Sequence, residues 1–288
     1  MQVRRFRDAS GFMAAAGSFL RRREAMNNLP LGIVSTFQTN PGHYLDAYFA
    51  VVLDAGEVVA AAIRTPPHNL VLAETDRPDS LSLIADDALA VYGTLPGVIG
   101  PKELTDRFLD LWQVRTGQRG QVYRSQRIYE STAVIWPKSV PGGRRQATEA
   151  DRSLLLDWLT AFHREAGDLA AEAAQRGVER FLKDDTGGLW LWQDKTPVSL
   201  VGSSGPTGSG IRVGPVYTPP PERGKGYASW LTAEVTQHRL NQGYRRVFLF
   251  TDLANPTSNK IYQAIGYRPV GDADECQFSD PCEGVARW

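Results

Sequence analysis

The 288-residue chain is poor in cysteine and histidine and has no excess of either charge. Two cysteines, Cys276 and Cys282, are far too few for a disulfide scaffold of this length and are expected as free thiols in a reducing cytoplasm. With only four scattered histidines beside them, no ligand spacing for zinc arises, and no metal is expected. Lys+Arg and Asp+Glu number 32 each, so the basic excess that usually accompanies nucleic-acid binding is missing. No run approaches the roughly 18 apolar residues of a membrane span, so no membrane partner is expected. Residues 4–23 loosely imitate a targeting segment, with basic flanks around apolar residues. But Phe12, Ala15, Ala16 and Phe19 fall at helical spacing, which reads as the first amphipathic helix of a folded domain. The expected location is cytoplasmic.

What is present is ordinary globular material. Hydrophobic residues make up 42% and charged residues 22%, and the length suits about two domains. The Pro/Gly-rich, polar stretch from Trp136 to Arg152 ends in a capping pattern, Thr148 with Asp151 three positions on. The join is therefore expected near Pro141, with domains 1–140 and 141–288. The second half reads β-α-α-β-β-β-α-β-α-β, and the first half repeats that order in faded form, which suggests internal duplication. The expected fold class is α/β (α+β), with a mixed, mostly antiparallel sheet flanked by helices in each half.

One stretch calls for chemistry. After three prolines, Pro219 to Pro221, comes Glu222-Arg223-Gly224-Lys225-Gly226-Tyr227-Ala228, and a helical pattern begins. A Gly-rich turn opening a helix aims unpaired main-chain N–H groups at one spot, an anion site assisted by the helix dipole. A Walker A loop would need Ser or Thr after Lys225, where Gly226 stands. A dinucleotide fingerprint would need glycine at 229, which is Ser. Arg-x-x-Gly-x-Ala, matched by Arg223, Gly226 and Ala228, is the pattern of a pyrophosphate loop. Downstream, Asn255, Ser258 and Tyr262 sit on a short helical segment, with Ser258 and Tyr262 four apart on one face. Ile261, Ala264 and Ile265 are expected to take the core role there.

Together, residues 210–270 resemble the GNAT superfamily of acyl-CoA-dependent N-acyltransferases, and the repeated element order makes the chain similar to tandem GNAT proteins with a degenerate first copy. The resemblance implies an enzyme that moves an acetyl group from acetyl-CoA to a primary amine of a small molecule or amino terminus. It implies a splayed V between the two central strands of the second copy. It implies that Val216 and Tyr217 pair with pantetheine, with the amide after Val216 aimed at the thioester oxygen. Arg223, Gly224, Lys225, Gly226, Tyr227 and Ala228 would hold the pyrophosphate, Asn255 and Ser258 the cofactor arm, and Tyr262 would protonate the departing thiolate.

The base is open between Glu165, His163 and Asp168, with Glu165 the first choice; Glu222, beside the phosphate loop, would repel the anion. The first copy has no such loop, and Asp76 and Asp79 load its counterpart with negative charge, so no cofactor is expected there. A regulatory module that holds acyl-CoA without turnover is the alternative, and a monomer or homodimer fits equally.

Overall fold

The computed structural model describes residues 1–39, 46–167, 170–183 and 186–279. It divides into two compact units. The first comprises Met1–Ile128, Thr251–Asn255 and Pro269–Trp288; the second comprises Tyr129–Phe250 and Pro256–Arg268.

The first unit runs β1 (Gln2–Phe6), α1 (Ala9–Arg22), α2 (Asn28–Thr39), β2 (Tyr48–Asp54), β3 (Glu57–Arg64), β4 (Leu70–Leu72), α3 (Leu81–Tyr92), β5 (Gly97–Pro101), α4 (Lys102–Thr116) and β6 (Arg119–Ser131). The second runs β7 (Gly143–Gln146), α5 (Arg152–Ala166), α6 (Ala170–Lys183), β8 (Gly188–Asp194), β9 (Thr196–Ser204), β10 (Gly210–Tyr217), α7 (Tyr227–Asn241), β11 (Arg246–Asp252) and α8 (Pro256–Ala264). The last strand, β12 (Arg268–Ser279), follows α8 in sequence. The expected element order recurs in both halves. The edge strand β1 was not foreseen, because its mostly exposed QVRRF lacks an apolar face.

Within each unit the sheet is mixed and mostly antiparallel. Strand order is β1-β2-β3-β4-β5-β12-β6 in the first and β11-β10-β9-β8-β7 in the second. Each contains a parallel pair, β4 with β5 and β10 with β11. Strand alternation sends neighbouring side chains to opposite faces. On β2, Tyr48, Ala50 and Val52 enter the core under α3 and α4, while Phe49 and Val51 enter the core with α1 and α2. On β8, Trp190 and Trp192 join the α7 side, and Leu189 and Leu191 the side with α5 and α6. Burial on both faces explains why these strands read as continuous apolar runs. Each fully buried aliphatic side chain, such as Leu191 or Leu200, contributes about 1.5–3 kcal/mol.

Two expectations about the join need correction. β12 completes the first unit: Ala273 to Gln277 pair antiparallel with Pro101 to Gly97 of β5. And the Pro/Gly-rich stretch is packed structure rather than a linker. The Trp192 indole donates to the Pro141 carbonyl (2.9 Å), the Ile135 amide donates to Ile265 (3.0 Å), and Val140 packs on the second unit's core. Polar composition misled there, because main-chain groups of Ile135 and Pro141 and the apolar side chain of Val140 anchor the segment. The Thr148–Asp151 capping box forms as expected.

Candidate active site

Strands β10 and β11 of the second unit part. β10 and β11 pair in parallel from Gly210↔Arg246 to Arg212↔Phe248, and the register ends there although both strands continue. The cause is visible on β10's other side. Its antiparallel register with β9 shifts between Val213 and Val216, so Gly214 and Pro215 form a bulge. Pro215 has no N–H to give, and Gly214 sits at φ +142°, a conformation that side chains rarely adopt. Gly202 lies opposite: a Cβ there would come within 2.7 Å of the Gly214 carbonyl oxygen. The bulge therefore needs glycine on both strands. Val216 and Tyr217 resume pairing with Val201 and Leu200 beyond it, along one arm of the gap.

At the end of that arm lies the loop. Residues 223–226 are exposed, and Gly224 and Gly226 adopt φ +77° and +90°. Gly226 is the N-cap of α7 and has a second constraint, since a Cβ would lie 3.1 Å from Val140 Cγ1. The first helical bond of α7 is the one that Trp230 donates to the Gly226 carbonyl (3.1 Å). The amides of Gly224 to Ser229 precede it and, among the described residues, have no backbone acceptor. A bare, positively ended helix start is what an anionic ligand needs.

The side chains around the loop are already engaged. Arg223 Nη2 donates to both carboxylate oxygens of Glu165 (2.7 and 2.8 Å), and its Nε donates to the Thr218 carbonyl (2.9 Å). Its guanidinium also lies 5.9 Å from the Tyr217 ring, which packs 6.1 Å from Trp158 of α5. Lys225 donates to Glu222 (2.9 Å). Glu165, the first choice of base, is thus the partner of the arginine expected to hold phosphate, which sequence spacing could not reveal across 58 positions. His163 lies in the same last turn of α5, and Asp168 falls outside the described residues.

The side chain of Tyr227 is committed elsewhere. It is buried and its hydroxyl donates to Asp194 (2.6 Å), a bond that pushes the phenol up to about 12. Only its backbone amide faces the loop's task. Asp194 was missed, although a tyrosine entering an apolar core usually requires an acceptor. Ala228 is partly buried.

On α8, Tyr262 is buried, as is Ile265 just past its end, while Ala264, expected in the core, is exposed. The Tyr262 ring meets Tyr267 edge to face at 6.1 Å. Burial pushes its phenol up to about 12, so the proton stays on the oxygen at neutral pH. Ser258 is half-buried one turn before it. Asn255 immediately precedes α8 but belongs by compactness to the first unit, and its own amide donates to the Asp252 carbonyl (3.0 Å).

Residues 152–267 match the family model for the acetyltransferase (GNAT) family. This stretch is a GNAT domain. No curated protein sequence matches the chain significantly. Among solved structures, a GCN5-related N-acetyltransferase from Sphaerobacter thermophilus is 17% identical, with 98% of this chain and 97% of that one covered and a TM-score of 0.61. A tandem GNAT protein from the clavulanic acid biosynthesis pathway is 13% identical over 99% and 100% of the two chains (TM-score 0.59). A GCN5-related N-acetyltransferase from Kribbella flavida is 18% identical over 90% and 98% (TM-score 0.56). At such identities the likeness is one of fold.

The first unit offers an instructive contrast to the GNAT domain. Arg23, directly after α1, donates to Glu74 (3.0 Å) and Asp76 (2.6 Å) in the loop that follows β4. The same contact between first helix and loop is made in both units, with the charges exchanged. In the second, the helix supplies the acid and the loop the base; in the first, the helix supplies the base and the loop the acids. No glycine opens α3, whose N-cap is Ser80.

Proposed function

We propose that the GNAT domain transfers an acetyl group from acetyl-CoA to a primary amine of a small molecule or an amino terminus. The observation that carries this reading is the pairing of a parted β10–β11 with a glycine-opened helix start whose six successive amides lack backbone acceptors among the described residues. The residues fit the donor: the loop is exposed, and Arg223 and Lys225 stand beside the amides as cations once released from Glu165 and Glu222.

In this reading, the neutral amine attacks the thioester carbonyl carbon, and the C–S bond breaks as the C–N bond forms. Positioning of the two reactants supplies most of the acceleration. The Tyr262 hydroxyl gives its proton to the sulfur that leaves, a role that requires the phenol to remain protonated through neutral pH. The amine's surplus proton passes to Glu165, once Arg223 has turned to the pyrophosphate, or to water. The first unit, with acidic residues in its loop, takes no coenzyme A.

Isothermal titration of acetyl-CoA into the protein tests this directly. One mole bound per mole of chain is expected, abolished in an Arg223→Glu, Gly226→Asp double variant. Two moles would overturn the assignment to the second unit, and no binding would overturn the acetyltransferase reading. With an accepted amine in hand, Tyr262→Phe should lower kcat roughly 100-fold with little change in donor affinity.

A further inference from the structure

Trp136 is a large aromatic residue left 48% exposed, with the neighbouring Ile135 60% exposed. Exposure of a tryptophan on a mobile tail would mean little, but this one is fixed. Immediately before it, the Ile135 amide donates to Ile265 at the end of α8. Five residues later, Pro141 accepts from the Trp192 indole. Between those anchors the indole lies 5.4 Å from the Trp230 ring, tilted by 44°, and Trp230 in turn meets Trp192 edge-on at 6.4 Å.

The place matters as much as the rigidity. Trp230 belongs to the first turn of α7, and its own amide bonds to Gly226, the glycine of the anion loop. Val140, four residues after Trp136, is the residue against which a Cβ on Gly226 would press, at 3.1 Å. The same short segment therefore walls the loop with Val140 and, four residues earlier, presents a half-exposed indole against the first turn of the helix that the loop opens. A flat, pre-set aromatic surface next to a phosphate-binding helix start suits a ligand that carries a flat aromatic ring on a phosphate chain. Held rigidly, such a surface spends little conformational entropy on stacking.

We infer that Trp136, backed by Trp230, is the stacking platform for the adenine ring of coenzyme A. The inference rests on the proposed function, since it takes the loop to hold the pyrophosphate. It assigns to this segment the recognition of a purine ring, a role outside the thioester chemistry. Stacking of a base on an aromatic side chain is worth about tenfold or more in affinity when the ring is removed.

The test compares two ligands that share the pantetheine arm: coenzyme A, and 4′-phosphopantetheine, which has no adenosine. Each is titrated calorimetrically into the wild type, Trp136→Ala and Trp136→Phe. Coenzyme A should bind Trp136→Ala about tenfold more weakly, and Trp136→Phe should recover most of the loss. Binding of 4′-phosphopantetheine should be unchanged in both. Unchanged affinity for coenzyme A in Trp136→Ala would overturn the platform while leaving the acetyltransferase reading in place. An equal loss for both ligands would also overturn it, by making Trp136 a structural prop of the loop. Failure of coenzyme A to bind the wild type would remove the underlying reading, and the platform with it.

Discussion

Arg223 is committed to one anion and proposed for another. It holds the Glu165 carboxylate now, and the proposed reaction asks it to hold a pyrophosphate. Both partners of the present pair are about half exposed, at 46% and 50%, so water and salt compete for the contact. Such a pair is worth at most about 1 kcal/mol. Glu165→Gln should therefore tighten coenzyme A binding, by up to about fivefold in dilute buffer, and the gain should shrink as salt is added. Calorimetry at two salt concentrations checks both statements. An equal or weaker affinity in Glu165→Gln would mean that Glu165 orients Arg223 for the phosphate rather than competing with it. The same exchange would free Glu165 to receive the amine's proton, which ties its two suggested tasks to one motion.

At the scale of elements, the start of α5 shows how one side chain joins a strand to a helix. Asp151 accepts from Arg145 of β7 through two bonds of 2.7 Å and from the Thr148 amide (2.9 Å). The Arg145 bonds, with the Thr148 amide, hold its carboxyl down at about 2. Because the folded value lies below the unfolded one, the stabilisation is present above pH 4 and lost as pH falls from about 4 to about 2. Asp151→Asn should cost about 1 kcal/mol at neutral pH, as cap losses do. Its difference from the wild type should vanish near pH 2. Urea unfolding of both proteins from pH 7 down to pH 2 tests this; a difference constant with pH would remove the carboxylate from the account.

The charge-exchanged contacts of the two units belong to the same scale. The Gly-rich sequence 223–228 marked one loop as anion-seeking, and Asp76 and Asp79 marked the other as anion-repelling, both from residue type alone. Neither reading could supply Glu165 or Arg23, because a helix end and a loop distant in sequence meet only when the sheet between them has folded.

At the scale of the whole molecule, the chain's last strand does not stay with the elements before it. β12 gives the first unit an antiparallel partner for β5, places Cys276 fully inside that unit's core, and brings Phe278 to 5.9 Å from the Trp112 ring. Its Asp274 accepts from Lys102 (2.9 Å), and its Asp272 accepts from Arg127 through bonds of 2.7 and 2.9 Å. Removing residues 268–288 should therefore unfold or aggregate the first unit, by opening the β5 edge and emptying part of its core. Loss of the cooperative thermal transition, followed by circular dichroism, is the expected result. An unchanged melting temperature would show that β5 and its neighbours are stable without β12. For the same reason, separate expression of 1–140 is expected to fail.

The amino-acid sequence by itself determined the order of elements in both halves, since periodicity, caps and glycine stops act over a few residues. It also determined where the chain takes left-handed turns at Gly224 and Gly226, a local backbone matter; it did not determine the burial of Tyr262, because Ile261, Ala264 and Ile265 read as the core face of that helix. Tertiary structure alone decided which unit receives β12, because strand pairing is satisfied by any edge of the right shape and register. It alone joined Arg223 to Glu165 and Tyr227 to Asp194, and it turned a polar, proline-rich stretch into a fixed wall with Trp136 on it. Each of those rests on contacts between residues remote in sequence, where no local preference can choose the partner.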